Sequence, residues 1–190
     1  MLHLFKTLVR ENVEYCSPLW NPALLGDVQL IEDVQRNFNS KISGCKDIDY
    51  HSRLKYLKLQ SLQRRRERYS IIQVWKILHN IAPNDLNLEF SAPKRNGIKI
   101  KLPAISPSAS QSAQTLYDRS FSINSSKLWN ILPKEVNEAV KLEAFKTKLG
   151  SFLESFSDSP LTTGYVTLNS NSLLEWHASR LGGSQMVQRP

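Results

Sequence analysis

Residues 53–78 read RLKYLKLQSLQRRRERYSIIQVWKIL, which combines a helical apolar pattern with a run of arginines. Ser61 precedes its second half and is a good N-cap, because its hydroxyl can accept a hydrogen bond from a free N–H of the first helical turn. Pro83 lies beyond the pattern and cannot continue a helix. The stretch therefore predicts a long helix from Ser61 to about residue 80. Its apolar side chains recur at the spacing of one helix face: Leu62, Tyr69, Ile72, Trp75 and Leu78.

The same stretch lies within the most basic part of the chain. Residues 41–76 hold ten lysines or arginines and three acids, so this window carries +7 of the chain's net charge of +8. A basic surface held on helices favours a polyanionic partner, because each neutralised phosphate releases a condensed counterion. The ten cations are Lys41, Lys46, Arg53, Lys55, Lys58, Arg64, Arg65, Arg66, Arg68 and Lys76.

Hydrophobic periodicity elsewhere predicts a mainly α-helical fold with a bundle-like body. Amphipathic helices are expected over 2–16 and 27–42, with Val28, Ile31, Val34 and Phe38 on the apolar face of the second. Asp47 or Asp49 is expected to open a short helix. We expect three regions: a basic helical body over 1–80, a mixed segment of loop, short strand (98–102) and helices over 81–156, and a weakly ordered tail over 157–190 with a short turn at Leu-Leu-Glu-Trp.

Composition excludes several other classes of protein. No apolar run approaches the roughly 20 residues that cross a bilayer. Basic charge alone favours nucleic acid or an anionic membrane without choosing between them, and no membrane partner is expected. The first residues lack the pattern of a secretory signal, which predicts an intracellular protein of the nucleus or cytoplasm. Cys16 and Cys45 are too isolated for a zinc site and are expected to be reduced, small apolar residues. Trp20, Trp75 and Trp129 each sit in an apolar context and are expected in the core.

The carboxylates do not form a recognisable catalytic set. A catalytic site with two metal ions needs carboxylates that converge on them, and Glu32-Asp33 is the only pair of adjacent acids in this chain. Glu32 and Asp33 are adjacent on a predicted helix and point about 100° apart, so a solvated helix face is expected. Asp47 and Asp49 are expected to cap the short helix. We therefore expect no enzyme activity from this chain alone and no cofactor or metal in it.

The arginine run divides by helix geometry. Arg65 projects toward the apolar side and is expected to pair with Glu14, Glu32 or Asp33, whereas Arg64, Arg66 and Arg68 are expected to face phosphates. The loop over residues 94–101 adds four further cations, Lys94, Arg95, Lys99 and Lys101. The expected nucleic-acid-binding residues are Arg53, Lys55, Lys58, Arg64, Arg66, Arg68, Lys94 and Arg95.

Four blocks of sequence resemble the region that follows the catalytic palm in non-LTR retrotransposon (LINE) reverse transcriptases of the jockey/CR1 type. Order and spacing match over roughly residues 4–156. The blocks are Leu8-Val9-Arg10 with Glu14-Tyr15-Cys16-Ser17-Pro18-Leu19-Trp20-Asn21-Pro22; Ile31-Glu32-Asp33-Val34-Gln35-Arg36; Tyr50-His51-Ser52-Arg53-Leu54 with residues 61–66 and Trp75-Lys76-Ile77-Leu78-His79; and Ser120-Phe121 with Leu128-Trp129-Asn130-Ile131-Leu132-Pro133 and Phe145-Lys146.

The resemblance implies a non-catalytic, thumb-like helical region that contacts template RNA or an RNA–DNA hybrid beside the active site of an RNA-directed DNA polymerase. Glu11 stands where many members have proline, which lets the first helix continue. The fingers, palm and endonuclease of the family are missing, so we expect a fragment whose partners include those domains; the parent polymerase would use Mg²⁺ in its palm. The alternative is a helical protein-interaction module, or a decayed mobile-element fragment, without nucleic-acid binding.

Overall fold

The computed structural model describes residues 1–22, 25–93, 95, 97–155 and 173 of the chain. The fold is mainly α-helical with one small two-stranded sheet in this part of the chain, which confirms the predicted class. Leu173 is helical and fully buried. The remainder of the predicted 157–190 tail, including the rest of its Leu-Leu-Glu-Trp turn with Trp176, lies outside the described residues, as does Lys94.

The predicted first helix is present as three consecutive segments that end at Glu14, and the predicted strand is shorter than expected. The two strands are antiparallel, with Glu89 opposite Lys101 and Phe90 opposite Ile100. The order of elements is α1 (Leu2–Leu4), a π-helical segment (Phe5–Val9), α2 (Arg10–Glu14), α3 (Ser17–Trp20), α4 (Leu25–Ser40), α5 (Tyr50–Tyr56), α6 (Leu62–Leu78), β1 (Glu89–Phe90), β2 (Ile100–Lys101), α7 (Gln111–Arg119), α8 (Phe121–Asn130), α9 (Lys134–Asn137) and α10 (Leu142–Glu154).

The ends of the central helix follow the sequence closely. The Ser61 hydroxyl accepts a hydrogen bond from the Arg64 N–H at 3.2 Å, which confirms the predicted N-cap of α6. At the other end Asn80 adopts a left-handed conformation with φ of 56°. Its N–H donates to the Ile77 carbonyl at 3.1 Å, and the Ile81 N–H donates to the Lys76 carbonyl at 2.8 Å. This pair of bonds is the Schellman closure, which satisfies carbonyls that a helix end leaves unpaired.

The chain forms two compact units, Met1–Arg66 and Glu67–Ser157, with the division inside α6. The predicted boundary at residue 80 therefore lies later than the observed one. The reason is that the second half of α6 packs within the second unit. There the Trp75 ring stacks on Phe145 at 5.5 Å between centroids, and its indole N–H donates to the Ala139 carbonyl at 2.8 Å.

The first unit buries a polar stripe of α4 where an apolar one was predicted. Val28 is buried as expected, but Val34 is 38% exposed. The remaining buried positions at helical spacing are Glu32, Gln35 and Asn39, each fully buried. The apolar contact from this helix is made by Phe38, whose ring stacks on Phe5 at 4.7 Å between centroids. The inward face of α4 is thus turned by about one residue from the predicted one.

Glu32 explains this rotation, because it caps α6. Its carboxylate accepts hydrogen bonds from the backbone N–H groups of Leu62 at 3.1 Å and Gln63 at 3.2 Å. The hydroxyl of Tyr50 also donates to it, and Gln35 donates to that hydroxyl at 3.0 Å. An anion is favourable at this place, since the first N–H groups of a helix are unpaired and the helix dipole is positive there.

The expectation of a solvated Glu32–Asp33 face is therefore wrong for Glu32. Asp33 is half-buried and pairs with Arg36 at 3.0 Å. The two side chains point in different directions, as expected, and the Glu32 side chain points into the core.

The core of the second unit is aromatic. Trp75 and Trp129 are 2% and 0% exposed, and the Trp129 ring lies 6.0 Å from the Phe145 ring between centroids. The Trp129 indole N–H donates to the Ile98 carbonyl at 2.9 Å. The prediction that these two tryptophans belong to the core is confirmed.

Asparagines complete the packing beside the sheet. Asn130 accepts from the Ile100 N–H and donates to its carbonyl, both at 2.8 Å, as a neighbouring strand would. Asn137 donates to the Ile98 carbonyl at 3.2 Å. Gly97 has φ of 78°, and a Cβ there would lie 2.4 Å from Asn137 Oδ1, so glycine is required on both counts.

Candidate nucleic-acid interface

Burial sorts the predicted nucleic-acid-binding residues into two groups. Arg53, Arg64 and Arg66 are 7%, 3% and 1% exposed. The other members that the structure describes reach solvent: Lys55, Lys58 and Arg95 are exposed, and Arg68 is half-buried. The prediction that Arg53, Arg64 and Arg66 present their charge at the surface is wrong.

Arg53 is held by the loop that precedes its own helix. Its Nη1 donates to the Ile48 carbonyl at 2.8 Å, and its guanidinium lies 5.9 Å from the centroid of the Tyr50 ring. A guanidinium presents its donors in a fixed fork and stacks on aromatic rings, so it suits an inward structural position better than lysine does. Arg53 therefore fixes the 45–50 turn against α5.

The arginine run at the start of α6 is also used within the first unit. Arg65 forms a two-pronged ion pair with Glu14, in which Nε donates to Oε1 and Nη2 donates to Oε2, the latter at 2.8 Å. This confirms the predicted inward direction of Arg65 and selects Glu14 from the three expected partners. Arg66 Nε donates to Asn21 Oδ1 at 2.9 Å. Both contacts join α6 to the N-terminal segment.

Four lysines of the first unit remain available. Lys41, Lys46, Lys55 and Lys58 are exposed, and within the described part of the chain none of their ammonium groups takes part in a hydrogen bond or an ion pair. All four lie between the end of α4 and the turn that closes α5, a stretch that we call the lysine segment (residues 41–58). Its five cations and two carboxylates give it a net charge of +3.

The backbone of the lysine segment is closely hydrogen-bonded. Gly44 adopts φ of 80°, and the N–H of the buried Cys45 donates to the Ile42 carbonyl at 3.0 Å. Asp49 caps α5 by accepting from the N–H groups of His51 and Ser52, each at 3.1 Å. Hydrogen bonds from Ser52, side chain first and then backbone, hold the Asp49 pKa below its ordinary value of 3.8.

Lys58 closes α5 in a conformation that usually belongs to glycine. Its φ is 50°, its N–H donates to the Lys55 carbonyl at 3.2 Å, and the Leu59 N–H donates to the Leu54 carbonyl at 2.8 Å. These are the two bonds of a Schellman motif with lysine at the left-handed position. Leu54 and Leu59 pack in one cluster with Tyr50, which completes the motif's apolar contact. The positions of Lys55 and Lys58 are thereby fixed relative to each other.

Sequence reasoning counted Lys41 and Lys46 in the basic window but did not select them. The signal that identifies the two lysines is Ser43-Gly44, which ends α4 and places its neighbours in an exposed turn.

Cations of the second unit are used differently. Lys99 Nζ donates to the carbonyls of Asn130 at 2.7 Å and Leu132 at 3.2 Å, at the end of α8. Burial lowers the Lys99 pKa. Lys101 pairs with Glu89 at 3.1 Å across the two strands. Two of the four cations expected in a mobile basic loop are therefore engaged by the fold.

Two further expectations about exposure are corrected. Trp20 is 40% exposed, and its indole N–H donates to the Tyr15 carbonyl at 2.5 Å, so it is not a core residue. Cys16 is exposed with φ of 50°. Both cysteines are free thiols, and Cys45 alone is buried.

The described residues contain no group of three or more His, Cys, Asp or Glu side chains that could hold a metal ion. In the same part of the chain, no helix combines the length and the apolar character that crossing a membrane requires. The arrangement that remains is a set of exposed ammonium groups on a rigid turn-and-helix segment.

Comparison of the chain with protein-family models, curated proteins and solved structures gives no match. A retrotransposon origin therefore rests on the residue blocks alone, and the site is argued from its own chemistry.

Proposed function

We propose that this chain is a non-catalytic nucleic-acid-binding polypeptide, derived from the region after the palm of a non-LTR retrotransposon RNA-directed DNA polymerase. Its ligand is RNA or an RNA–DNA hybrid, its further partners are the fingers and palm of the parent polymerase, and it acts in the nucleus or cytoplasm. The observation that carries the binding proposal is the lysine segment, where four exposed ammonium groups have no partner among the described residues.

The lysine segment suits phosphates better than it suits any particular base. An ammonium group is a compact charge on a flexible stem and contacts a phosphate without demanding one geometry. Phosphate contacts position a strand but carry no sequence information. Binding should therefore be indifferent to sequence, and four phosphate contacts should give a slope of roughly −3 in a plot of log K against log salt concentration.

The test is an anisotropy titration of labelled RNA, DNA and RNA–DNA hybrid at several salt concentrations. We expect affinity at low salt that falls steeply as salt is added. Substitution of all four lysines (Lys41, Lys46, Lys55 and Lys58) by glutamine should weaken binding and flatten the slope. No binding in dilute buffer, or tight binding that salt does not change, would refute the proposal.

A matched control removes the same number of charges from the second unit. Lys134, Lys141, Lys146 and Lys148 lie on or beside α9 and α10, and their substitution by glutamine lowers the net charge equally. If that variant loses affinity as strongly as the first, general charge rather than the lysine segment is responsible.

The polymerase origin has tests of its own. In the family that the chain resembles, the metal-binding carboxylates of the palm lie on an aromatic-x-Asp-Asp motif. An in-frame motif of this kind in the DNA immediately upstream of the coding sequence would support the origin. Primer extension by this chain alone with Mg²⁺ or Mn²⁺ would contradict the non-catalytic assignment.

Exposed apolar side chains favour a second candidate, a helical protein-interaction module. Leu4, Leu8, Leu19 and Leu30 of the first unit are 56%, 62%, 86% and 69% exposed. Apolar patches that are open to solvent often mark protein interfaces. Self-association in sedimentation velocity, together with no affinity for nucleic acid, would favour this candidate over the first.

A further inference from the structure

The lysine segment contains one aromatic residue that the fold does not use. Tyr56 lies on the last turn of α5 and is 68% exposed. Its hydroxyl and ring have no hydrogen bond or ring contact within the described residues. Lys55 precedes it directly and Lys58 follows two residues later, and both ammonium groups are exposed and without a partner there.

The other tyrosine of the same helix, Tyr50, has a structural role. Tyr50 is 5% exposed, its hydroxyl donates to Glu32, and the Arg36 guanidinium lies 5.0 Å from its ring centroid. Tyr56 is six residues further along, at the opposite end of α5, and has none of these contacts. An aromatic ring left in water is unfavourable for the free protein, since burying it would remove a large apolar area from solvent.

The backbone holds this ring and its flanking charges in place. The Schellman closure after Tyr56 fixes the turn through hydrogen bonds of 3.2 Å and 2.8 Å. Lys58 keeps a left-handed conformation there, which is unfavourable for an L-residue with a Cβ atom. A ligand that contacts Tyr56, Lys55 and Lys58 together therefore meets a preformed arrangement.

We infer that Tyr56 is a base-stacking residue for single-stranded nucleic acid, with Lys55 and Lys58 contacting the phosphates on either side of the stacked base. The inference rests on the proposed function and names its substrate class. Single-strand-binding proteins combine a positive surface with aromatic rings that stack on bases, and each such ring contributes irrespective of sequence. In a duplex the base faces are covered by their neighbours, so this contact is open only to an unpaired strand.

Charge favours this partner over a protein. The cores of protein interfaces are depleted in lysine, because an ammonium group is costly to desolvate. Two unpaired lysines beside an exposed ring instead match a ligand that offers a flat apolar face and regularly spaced anions.

The test compares Tyr56→Leu, which removes the ring, with Tyr56→Phe, which keeps it. Affinities are measured by anisotropy for a single-stranded oligonucleotide and for its duplex, each at several salt concentrations. We expect Tyr56→Leu to weaken single-strand binding roughly tenfold while leaving duplex binding and the salt slope unchanged, because stacking releases no counterion. Tyr56→Phe should bind as the unchanged chain does.

Tyr15→Leu is the matched control, since Tyr15 is 76% exposed in the same unit but lies outside the lysine segment. Its substitution should leave both affinities unchanged. Circular dichroism checks that each variant keeps its helical content.

The outcomes separate this inference from the proposed function. If the unchanged chain binds with the expected salt slope and Tyr56→Leu binds single strands equally well, the stacking role fails and the phosphate role stands. If no nucleic acid binds, both fail. A Tyr56→Leu variant that alters only the sedimentation coefficient would assign the ring to a protein contact and overturn the inference.

Discussion

The cores of the two units differ in the kinds of residue that they bury. The second buries tryptophans whose indole N–H groups bond to backbone carbonyls of Ala139 and Ile98. The first buries a carboxylate, Glu32, and arginines such as Arg53 and Arg66, and leaves its lysines in solvent. Within one basic region, these arginines are therefore buried and contact the fold, whereas the lysines of the lysine segment are exposed to solvent.

Local charge density is therefore a poor guide to a binding surface. Guanidinium groups can satisfy several carbonyls and carboxylates at once, so a fold can draw them inward. Lysine, with one strongly hydrated charge, stays outside unless it caps a helix as Lys99 does. The surface that we propose for phosphates is accordingly the lysine segment, where the charge is less dense than in the arginine run.

The largest expected effect tests the aromatic core. Trp129→Ala should destabilise the second unit by about 4 kcal/mol, because it leaves a cavity beside Phe145 and removes one of the two hydrogen bonds to the Ile98 carbonyl. Hydrogen exchange read by mass spectrometry should show faster exchange in peptides of the second unit. Trp20→Ala, at a half-exposed position, is the control and should change little. Equal effects from the two variants would contradict the assignment of Trp129 to the core and Trp20 to the surface.

The next effect tests the buried carboxylate of the first unit. Glu32→Ala leaves the N–H groups of Leu62 and Gln63 and the Tyr50 hydroxyl without their acceptor, which should cost about 3 kcal/mol. Urea unfolding measures this cost, and hydrogen exchange should place it in peptides of residues 50–66.

Asp33→Ala is the control for Glu32, because Asp33 is half-buried and pairs with Arg36 three residues away. It should change stability by less than about 0.5 kcal/mol. If exchange rises as strongly in second-unit peptides as in first-unit peptides of the Glu32→Ala variant, the two units do not unfold independently. The difference between their cores would then not be a difference in separate stabilities.

How far the sequence predicts this molecule differs between the same two regions. Local signals were sufficient for the Ser61 cap of α6 and for an end of that helix before Pro83. They also predicted an aspartate cap for α5 but left Asp47 and Asp49 as alternatives, of which the structure uses Asp49. They were also sufficient to predict burial of Trp75 and Trp129, because apolar neighbours and the helical spacing both place these side chains on a buried face. These features depend on neighbours within a few residues.

The features that were missed depend on distant partners. Glu32 is buried because the start of α6, thirty residues away, needs a hydrogen-bond acceptor. Hydrophobic periodicity alone predicts that a charged residue on a helix is exposed. Arg66 is buried beside Asn21 for the same kind of reason. Among the named partners of Arg65, only the tertiary arrangement distinguishes Glu14 from Glu32 and Asp33. The lysine segment was counted correctly as basic, and Lys55 and Lys58 were among the expected binding residues. Charge alone did not show that Arg53, Arg64 and Arg66 are buried.

A smaller effect concerns pH. Hydrogen bonds from Ser52 lower the Asp49 pKa in the folded state below 3.8, so the carboxylate stabilises the fold above that ordinary value, and this contribution is lost as pH falls through the folded pKa. Asp49→Ala should cost about 1 kcal/mol at neutral pH, and the gap from the unchanged chain should narrow on acidification below 3.8.

Asp49→Asn separates capping from charge, because the amide oxygen still accepts from the helix N–H groups but does not titrate in this range. Its stability relative to Asp49→Ala should be independent of pH. Urea midpoints at pH values above and below 3.8 measure both differences. A gap between Asp49→Ala and the unchanged chain that widens in acid would show the opposite sign and exclude the capping account.

The smallest effect joins stability to binding. Lys58 has a left-handed backbone at the Schellman position of α5, where glycine avoids the clash of the Cβ atom. Lys58→Gly should therefore stabilise the first unit by roughly 0.5 to 1 kcal/mol and, by removing one phosphate contact, should also weaken nucleic-acid binding and reduce the salt slope by about 0.7 to 0.9. Lys58→Ala removes the same charge but keeps the clash, so it should lose affinity equally without the gain in stability. Because the two substitutions agree in charge and differ in strain, a Lys58→Gly variant that binds as tightly as the unchanged chain would mean that lysine is kept at this position for some reason other than phosphate.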